Sequence, residues 1–207
     1  MPRRLSTAAL WSRQDRPSGH RRRLYEVVSA HIAARRVLYP GCWCDVSASQ
    51  VWDEVTYVDL DGNAARFFAD DLGVRSIVDR PEARWRFLHA DYLQALDLPV
   101  AFDLLLSMYS GPLGPTCLPY VTPGGWFLAN PSHGDVALAM LDPALELNAV
   151  IVATPQGPAL KTDDVASWTT PKRAVPDVRE HVATTGRGVP YQREADAYLF
   201  RVRPLES

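Results

Sequence analysis

Arg36-Val-Leu-Tyr-Pro-Gly41 and Val55-Thr-Tyr-Val-Asp-Leu60 decide the fold of this chain. The first is a short apolar run stopped by Pro-Gly. The second is β-branched and aromatic, and Asp61-Gly62-Asn63 follows it as punctuation. Both predict strands. Before the first, Leu24, Val27, Val28, His31 and Ile32 recur at spacings of three and four and predict a helix over 21–36. After the second, a helix over 64–72 packs Phe67 and Phe68. The alternation continues with strands over 85–89, 102–108 and 126–130, the last entered through a Pro123-Gly124-Gly125 turn. A short helix near 135–141 and a strand near 147–153 come next. Residues 154–190, rich in Pro, Gly, Thr and charge, read as a long irregular excursion of the kind that covers a binding site. Residues 195–203 alternate apolar and polar and predict a terminal edge strand, antiparallel because no full helix separates it from the strand before. Strands alternating with helices imply a mostly parallel sheet covered on both faces.

With 207 residues, 47% of them hydrophobic, and a net charge of −2, the chain is expected to form a single domain with its own core. That apolar fraction excludes a disordered chain. No run approaches the roughly 18 apolar residues of a membrane span. Three cysteines do not make a disulfide framework, and the N-terminus lacks the apolar core of a secretion signal. A soluble cytoplasmic protein is the expectation. Residues 1–18 read as a basic, flexible arm and 19–207 as the domain. The first 23 residues hold seven arginines against one acid, Asp15. Such an arm could touch phosphates, but the remaining body is acidic, which argues against a nucleic-acid substrate. The oligomeric state is open, with a homodimer allowed.

In open α/β sheets a ligand lies outside the carboxyl ends of the strands, where the strand order switches. The residues there are Tyr39, Gly41, Cys42, Trp43 and Asp45 after the first strand, and Asp59, Leu60 and Asp61 after the second. Asp91 and Tyr92 follow the third, Ser107, Tyr109 and Ser110 the fourth, and Asn130, Ser132, His133 and Asp135 the fifth.

Five segments in order carry a resemblance. They are Val37-Leu-Tyr-Pro-Gly-Cys42, Tyr57-Val-Asp-Leu-Asp61, Phe87-Leu-His-Ala-Asp-Tyr92, Phe102-Asp-Leu-Leu-Leu-Ser107 and Val121-Thr-Pro-Gly-Gly-Trp-Phe-Leu128. Over roughly 21–203 the chain resembles a class I, Rossmann-like, S-adenosylmethionine-dependent methyltransferase. It more closely resembles a bacterial group of methyltransferase-like proteins that share the Leu-Tyr-Pro-Gly and Tyr-Val-Asp pieces. The resemblance implies a three-layer α/β fold with a mostly parallel seven-stranded sheet and an antiparallel last strand. It also implies S-adenosylmethionine as cofactor, with Asp59 on the ribose hydroxyls and Asp91 on the adenine amino group. Tyr39, Gly41, Cys42, Trp43, Leu60, Tyr92 and Ser107 complete the expected cofactor contacts. The expected function is methyl transfer to an O or N atom of a small-molecule acceptor. The alternative is a protein of this fold that has changed or lost its cofactor use.

The chain departs from the family at its glycine loop. Where Gly-x-Gly-x-Gly is usual, only Gly41 remains, and Trp43 and Asp45 stand at the later glycine positions. Trp43 either lies against the sulfonium, a cation stabilised over an aromatic face by about 0.5–2 kcal/mol, or crowds the methionine path. Among catalytic candidates, His133 could take a proton from the acceptor with Asp135 orienting its ring, Asn130 could hold the acceptor, and Tyr109 could line the pocket. Cys42 and Cys44, two apart without a histidine partner, do not read as a metal site. In the excursion, Trp168, Lys172, Arg173, His181, Arg187 and Tyr191 suit a small planar or anionic molecule.

Overall fold

The structure, a computed structural model, describes residues 5–204. In chain order its elements are α1 (Thr7–Gln14), α2 (His20–His31), β1 (Arg36–Pro40), β2 (Glu54–Asp59), α3 (Gly62–Ala69), α4 (Asp71–Val78), β3 (Arg84–His89) and β4 (Phe102–Ser107). There follow α5 (Gly114–Cys117), β5 (Val121–Ala129), α6 (Asp135–Ala139), β6 (Leu145–Thr154), β7 (Gly157–Lys161), α7 (Val178–Thr185) and β8 (Ala197–Val202). The eight strands form one sheet in the order β3-β2-β1-β4-β5-β8-β6-β7. β3, β2, β1, β4 and β5 pair parallel, while β8 runs antiparallel to both β5 and β6, and β7 antiparallel to β6.

Alternation along the strands builds two cores. Val37, Tyr39, Val55, Tyr57, Leu104 and Leu106 face one way and pack under α1 to α4 with Leu24, Val28, Phe67 and Val74. Leu38, Val58, Leu105, Phe127, Tyr198 and Phe200 face the other way and pack with Leu113, Cys117, Val136 and Val189. This is the three-layer arrangement expected from the sequence.

Three expectations are corrected. The sheet has eight strands, because β7 forms a hairpin with β6 inside the 154–190 segment, which also holds α7. The terminal strand is not an edge: β8 lies between β5 and β6, and Ala197 to Phe200 are all buried. A continuous apolar run, here Ala-Tyr-Leu-Phe, is the mark of a strand covered on both faces. The basic arm is not free over its described part. Ser6 caps α1 by accepting from the Ala9 N–H, Leu10 is buried, and Thr7 Oγ1 donates to Asp70 Oδ2 at 2.6 Å. Arg3 and Arg4 lie outside the described residues.

Smaller differences follow from caps. The helix expected over 64–72 is two helices, because Asp61 caps α3 and Asp70 ends α3 and caps α4. Pro123-Gly124-Gly125 lies within β5, where Gly125 packs so closely on Val121 and the Thr122 carbonyl that no side chain fits.

Candidate active site

β1 and β4 pair at only two positions, Val37 with Leu104 and Leu38 with Leu105. Strand order reverses between them, so the loops beyond this short ladder frame the crevice where such sheets bind ligands. On its β2 side Asp59 is buried and anchored by backbone amides. Its Oδ2 accepts from the Trp43 N–H at 2.7 Å and its Oδ1 from the Asp61 N–H at 2.8 Å. Each oxygen keeps a lone pair for a further donor. Leu60 beside it is 59% exposed, and Asp91 at the end of β3 uses Oδ1 to accept from the Leu93 N–H at 2.9 Å.

The glycine loop keeps glycine-like backbone without glycine's composition. Gly41 has φ +63° and Trp43 φ +47°. A bulky residue at positive φ is uncommon and stays there only when its surroundings hold it. Here the amide is held by Asp59, and the indole packs against the α1–α4 core. Trp43 is half-buried, with one side of its ring on that core and its side chain also within hydrogen-bond reach of Asp61.

On the opposite side Ser110 is seated on Gly41. A Cβ at position 41 would lie 2.1 Å from Ser110 Cβ and 3.1 Å from the Tyr92 hydroxyl. Tyr92 Oη donates to the Ser110 carbonyl at 3.1 Å, and Ser110 Oγ is buried without a hydrogen-bond partner among the described residues. Tyr109, at φ +68°, turns outward and is 54% exposed. Gly111, at φ +89°, stands in open space.

Other predicted residues have structural work. Tyr39 is fully buried and donates to Asp45 Oδ2 at 2.8 Å, and the Arg21 guanidinium reaches the same oxygen at 2.6 Å. Ser47 satisfies the other Asp45 oxygen through both its N–H and its hydroxyl. Cys42 and Cys44 are buried, and burial pushes Cys42 well up and Cys44 up to about 12, so neither is a thiolate near neutrality.

The expectation that Asp135 orients His133 is corrected. Asp135 is 2% exposed; its carboxylate accepts from Ser107 Oγ and the Leu113 and Gly114 N–H groups. That tie stitches the end of β4 and the start of α5 to α6. It also occupies the Ser107 hydroxyl, which was expected on the cofactor. Burial pushes the Asp135 carboxyl up from its ordinary value, against those donors. His133 turns instead toward the Gly186 carbonyl, at 3.4 Å from Nδ1. Asn130 is buried, and its Oδ1 accepts from the Tyr109 N–H at 3.3 Å and Ser132 Oγ at 2.9 Å. Asn130 is thus what holds the positive-φ turn at Tyr109.

A cavity of about 870 Å³ opens beneath the 172–196 stretch, walled by Pro131, Ser132, His181, Val189, Tyr191 and Tyr198. Neither Asn130 nor His133 lines it. A second cavity, about 250 Å³, lies between the start of α2 and the end of β4 and is lined by His20, Arg21, Met108 and Tyr109. Asp196 lines both. Asp196 and His20 were not singled out from the sequence; one precedes the last strand and the other sits among arginines, and no local pattern joins them.

The acceptor set expected for the nucleoside of S-adenosylmethionine is present. Asp59 and Asp91 have free acceptor sites there, and Leu60 offers an exposed apolar face. The amino-acid side fits once Ser110 lifts from Gly41, which would free the orphaned hydroxyl for a ligand.

No family model and no curated protein sequence matches the chain. Solved structures do. It is similar to an O-methyltransferase from Bacillus cereus in complex with SAH, at 12% identity over 98% of this chain and 93% of that one, with a TM-score of 0.51. It is also similar to the [4+2]-cyclase SpnF, at 16% identity over 89% of this chain and 81% of that one, with a TM-score of 0.53. In strand order, layering and overall shape, the chain has the three-layer Rossmann-like fold of the S-adenosylmethionine-dependent class I methyltransferases.

Proposed function

We propose that the chain carries out S-adenosylmethionine-dependent methyl transfer to an O or N atom of a small-molecule acceptor. The observation that carries this reading is a pair of cavities sharing Asp196 at the carboxyl edge of the sheet, the edge that also holds Gly41, Asp59 and Asp91. A cavity of about 870 Å³ is of the size that encloses a metabolite. S-adenosylmethionine, when bound, supplies an electrophilic methyl group. The chain's part is mainly orientation, which is most of what such a transfer asks of a protein. Asp59 would accept from the ribose hydroxyls with the lone pairs left free by Trp43 and Asp61. Asp91 Oδ2 and Leu60 would hold the purine. Tyr109, held outward by Asn130, stands between the crevice and the smaller cavity and would position the acceptor.

A second reading keeps the fold and changes the chemistry. The seating of Ser110 on Gly41 favours it, since the two loops touch where an amino-acid tail would pass. One solved structure of this fold carries the name of a cyclase, and a fold does not decide a reaction.

Calorimetric titration of the full chain with S-adenosylmethionine and S-adenosylhomocysteine separates the two. Methyl transfer predicts micromolar binding of either, weakened about tenfold or more in Asp59→Ala, the loss of one or two charge-assisted hydrogen bonds. No binding up to about millimolar concentration, some 4 kcal/mol, removes the first reading and leaves the second.

A further inference from the structure

Asp196 lines both cavities, immediately before β8. Its backbone N–H donates to the Ile151 carbonyl at 2.8 Å, which ties it to β6 at the head of β8. Its side chain is one-third exposed, but its Oδ2 is buried and has no hydrogen-bond partner among the described residues. His20 Nε2 is 3.8 Å away, beyond hydrogen-bond reach. A buried carboxylate oxygen without a donor is costly, and a ligand that brings a donor recovers that cost.

Two of the larger cavity's cations are paired with carboxylates. Lys172 pairs with Glu194 at 2.7 Å. Arg193 pairs with Asp164 at 3.5 Å and lies over the Trp168 ring at 3.7 Å. Arg187 is exposed at the cavity's rim. His181 Nε2 also lacks a partner among the described residues. Tyr191 and Tyr198 line the cavity with Asp196, their ring centroids 5.7 Å apart; Tyr191 is 7% exposed and Tyr198 fully buried behind the surface. An acceptor oxygen beside aromatic faces selects a cation on an aromatic body.

We propose that the cavity binds a small aromatic amine, with its ammonium on Asp196 and its ring against Tyr191. This rests on the reading of the cavity as the acceptor site, though not on the identity of any methyl donor. Three probes with one ring test it on the unmodified full chain at about pH 8, where an ordinary imidazole is neutral. They are tyramine, 4-ethylphenol and 3-(4-hydroxyphenyl)propionate, titrated by ligand-observed NMR. Tyramine is expected to bind about tenfold or more tightly than either of the others, and Asp196→Asn to abolish that preference. Equal or tighter binding of the propionate or of ethylphenol overturns the proposal. So does the absence of tyramine binding up to about 10 mM, or an unchanged preference in a folded Asp196→Asn chain. If that variant does not fold, the three-probe ranking on the unmodified chain decides alone. S-adenosylhomocysteine is titrated in the same samples. Its failure with tyramine selectivity intact removes only the methyl-donor reading, and lost selectivity with its binding intact removes only this one.

Discussion

Ser110 occupies the space that a side chain on Gly41 would need: a Cβ at position 41 would come within 2.1 Å of Ser110 Cβ, and φ at Gly41 is +63°. The two loops at the switch in strand order thus meet through an atom that is missing. Both the backbone angle and the contact oppose any substitution, and they oppose it by different means. Gly41→Ala is expected to lose about 1–3 kcal/mol in urea denaturation. Adding Ser110→Gly removes the clash and leaves the angle, so the double variant should recover part of the loss. Strict additivity of the two changes would show that the residues do not touch.

The Tyr92 hydroxyl fastens Ser110 over the loop by one hydrogen bond, 3.1 Å to its carbonyl. Tyr92→Phe is expected to cost about 1 kcal/mol of stability. If S-adenosylhomocysteine binds, the same change should speed its association, because the segment lifts more easily. Stopped-flow tryptophan fluorescence reads this directly, and a slower association in Tyr92→Phe would assign the hydroxyl to the ligand instead.

Asp61 caps α3 by accepting from the Asn63 N–H at 2.6 Å. Its carboxyl is held below the ordinary value: desolvation, the largest single influence, pushes it up, and the hydrogen bonds from Asn63, Ala64 and Trp43 together outweigh it. A depressed folded pKa contributes stability that is present above the unfolded value, about 3.9, and is lost as pH falls through the folded one. Asp61→Asn should keep the cap at pH 7 and reduce the acid loss between about pH 4 and pH 2. Asp61→Ala should cost about 1 kcal/mol at neutral pH. Chemical denaturation across that range checks both.

Asp135 is the acceptor for three donors from β4 and the segment after it. Removing it leaves Ser107 Oγ and the Leu113 and Gly114 amides buried without partners. Asp135→Ala is expected to lose about 3 kcal/mol or more, well beyond a neutral substitution. His133→Ala, at a ring turned toward the Gly186 carbonyl, is expected to stay within about 1 kcal/mol. Equal losses from the two, measured by thermal unfolding, would restore Asp135 and His133 as a working pair.

The parallel half of the sheet was legible because its signals are local. Val37, Leu38 and Tyr39 alternate between the two cores as a strand must, and Pro40-Gly41 ends the run. β7 was not legible: Gly157-Pro-Ala-Leu-Lys161 carries a proline that only an edge strand tolerates, and its pairing with β6 is what makes it a strand. The interior position of β8 left a trace in Ala197-Tyr-Leu-Phe200, four buried residues in a row, which the alternation of the flanking residues obscured.

The parallel strands' places along the chain, the layering and the residues at the carboxyl edge follow from the residues alone, since period, turn chemistry and β-branching act over a few positions. The roles of those residues do not. Asp59, Asp91 and Asp135 look alike as acids after a strand or loop, yet one clamps the glycine loop, one makes a local turn and one ties β4 to α6. Which donor a carboxylate meets depends on chain segments far away in sequence. The meeting of Asp196 with His20, and of Ser110 with Gly41, exists only once the sheet has brought their strands side by side.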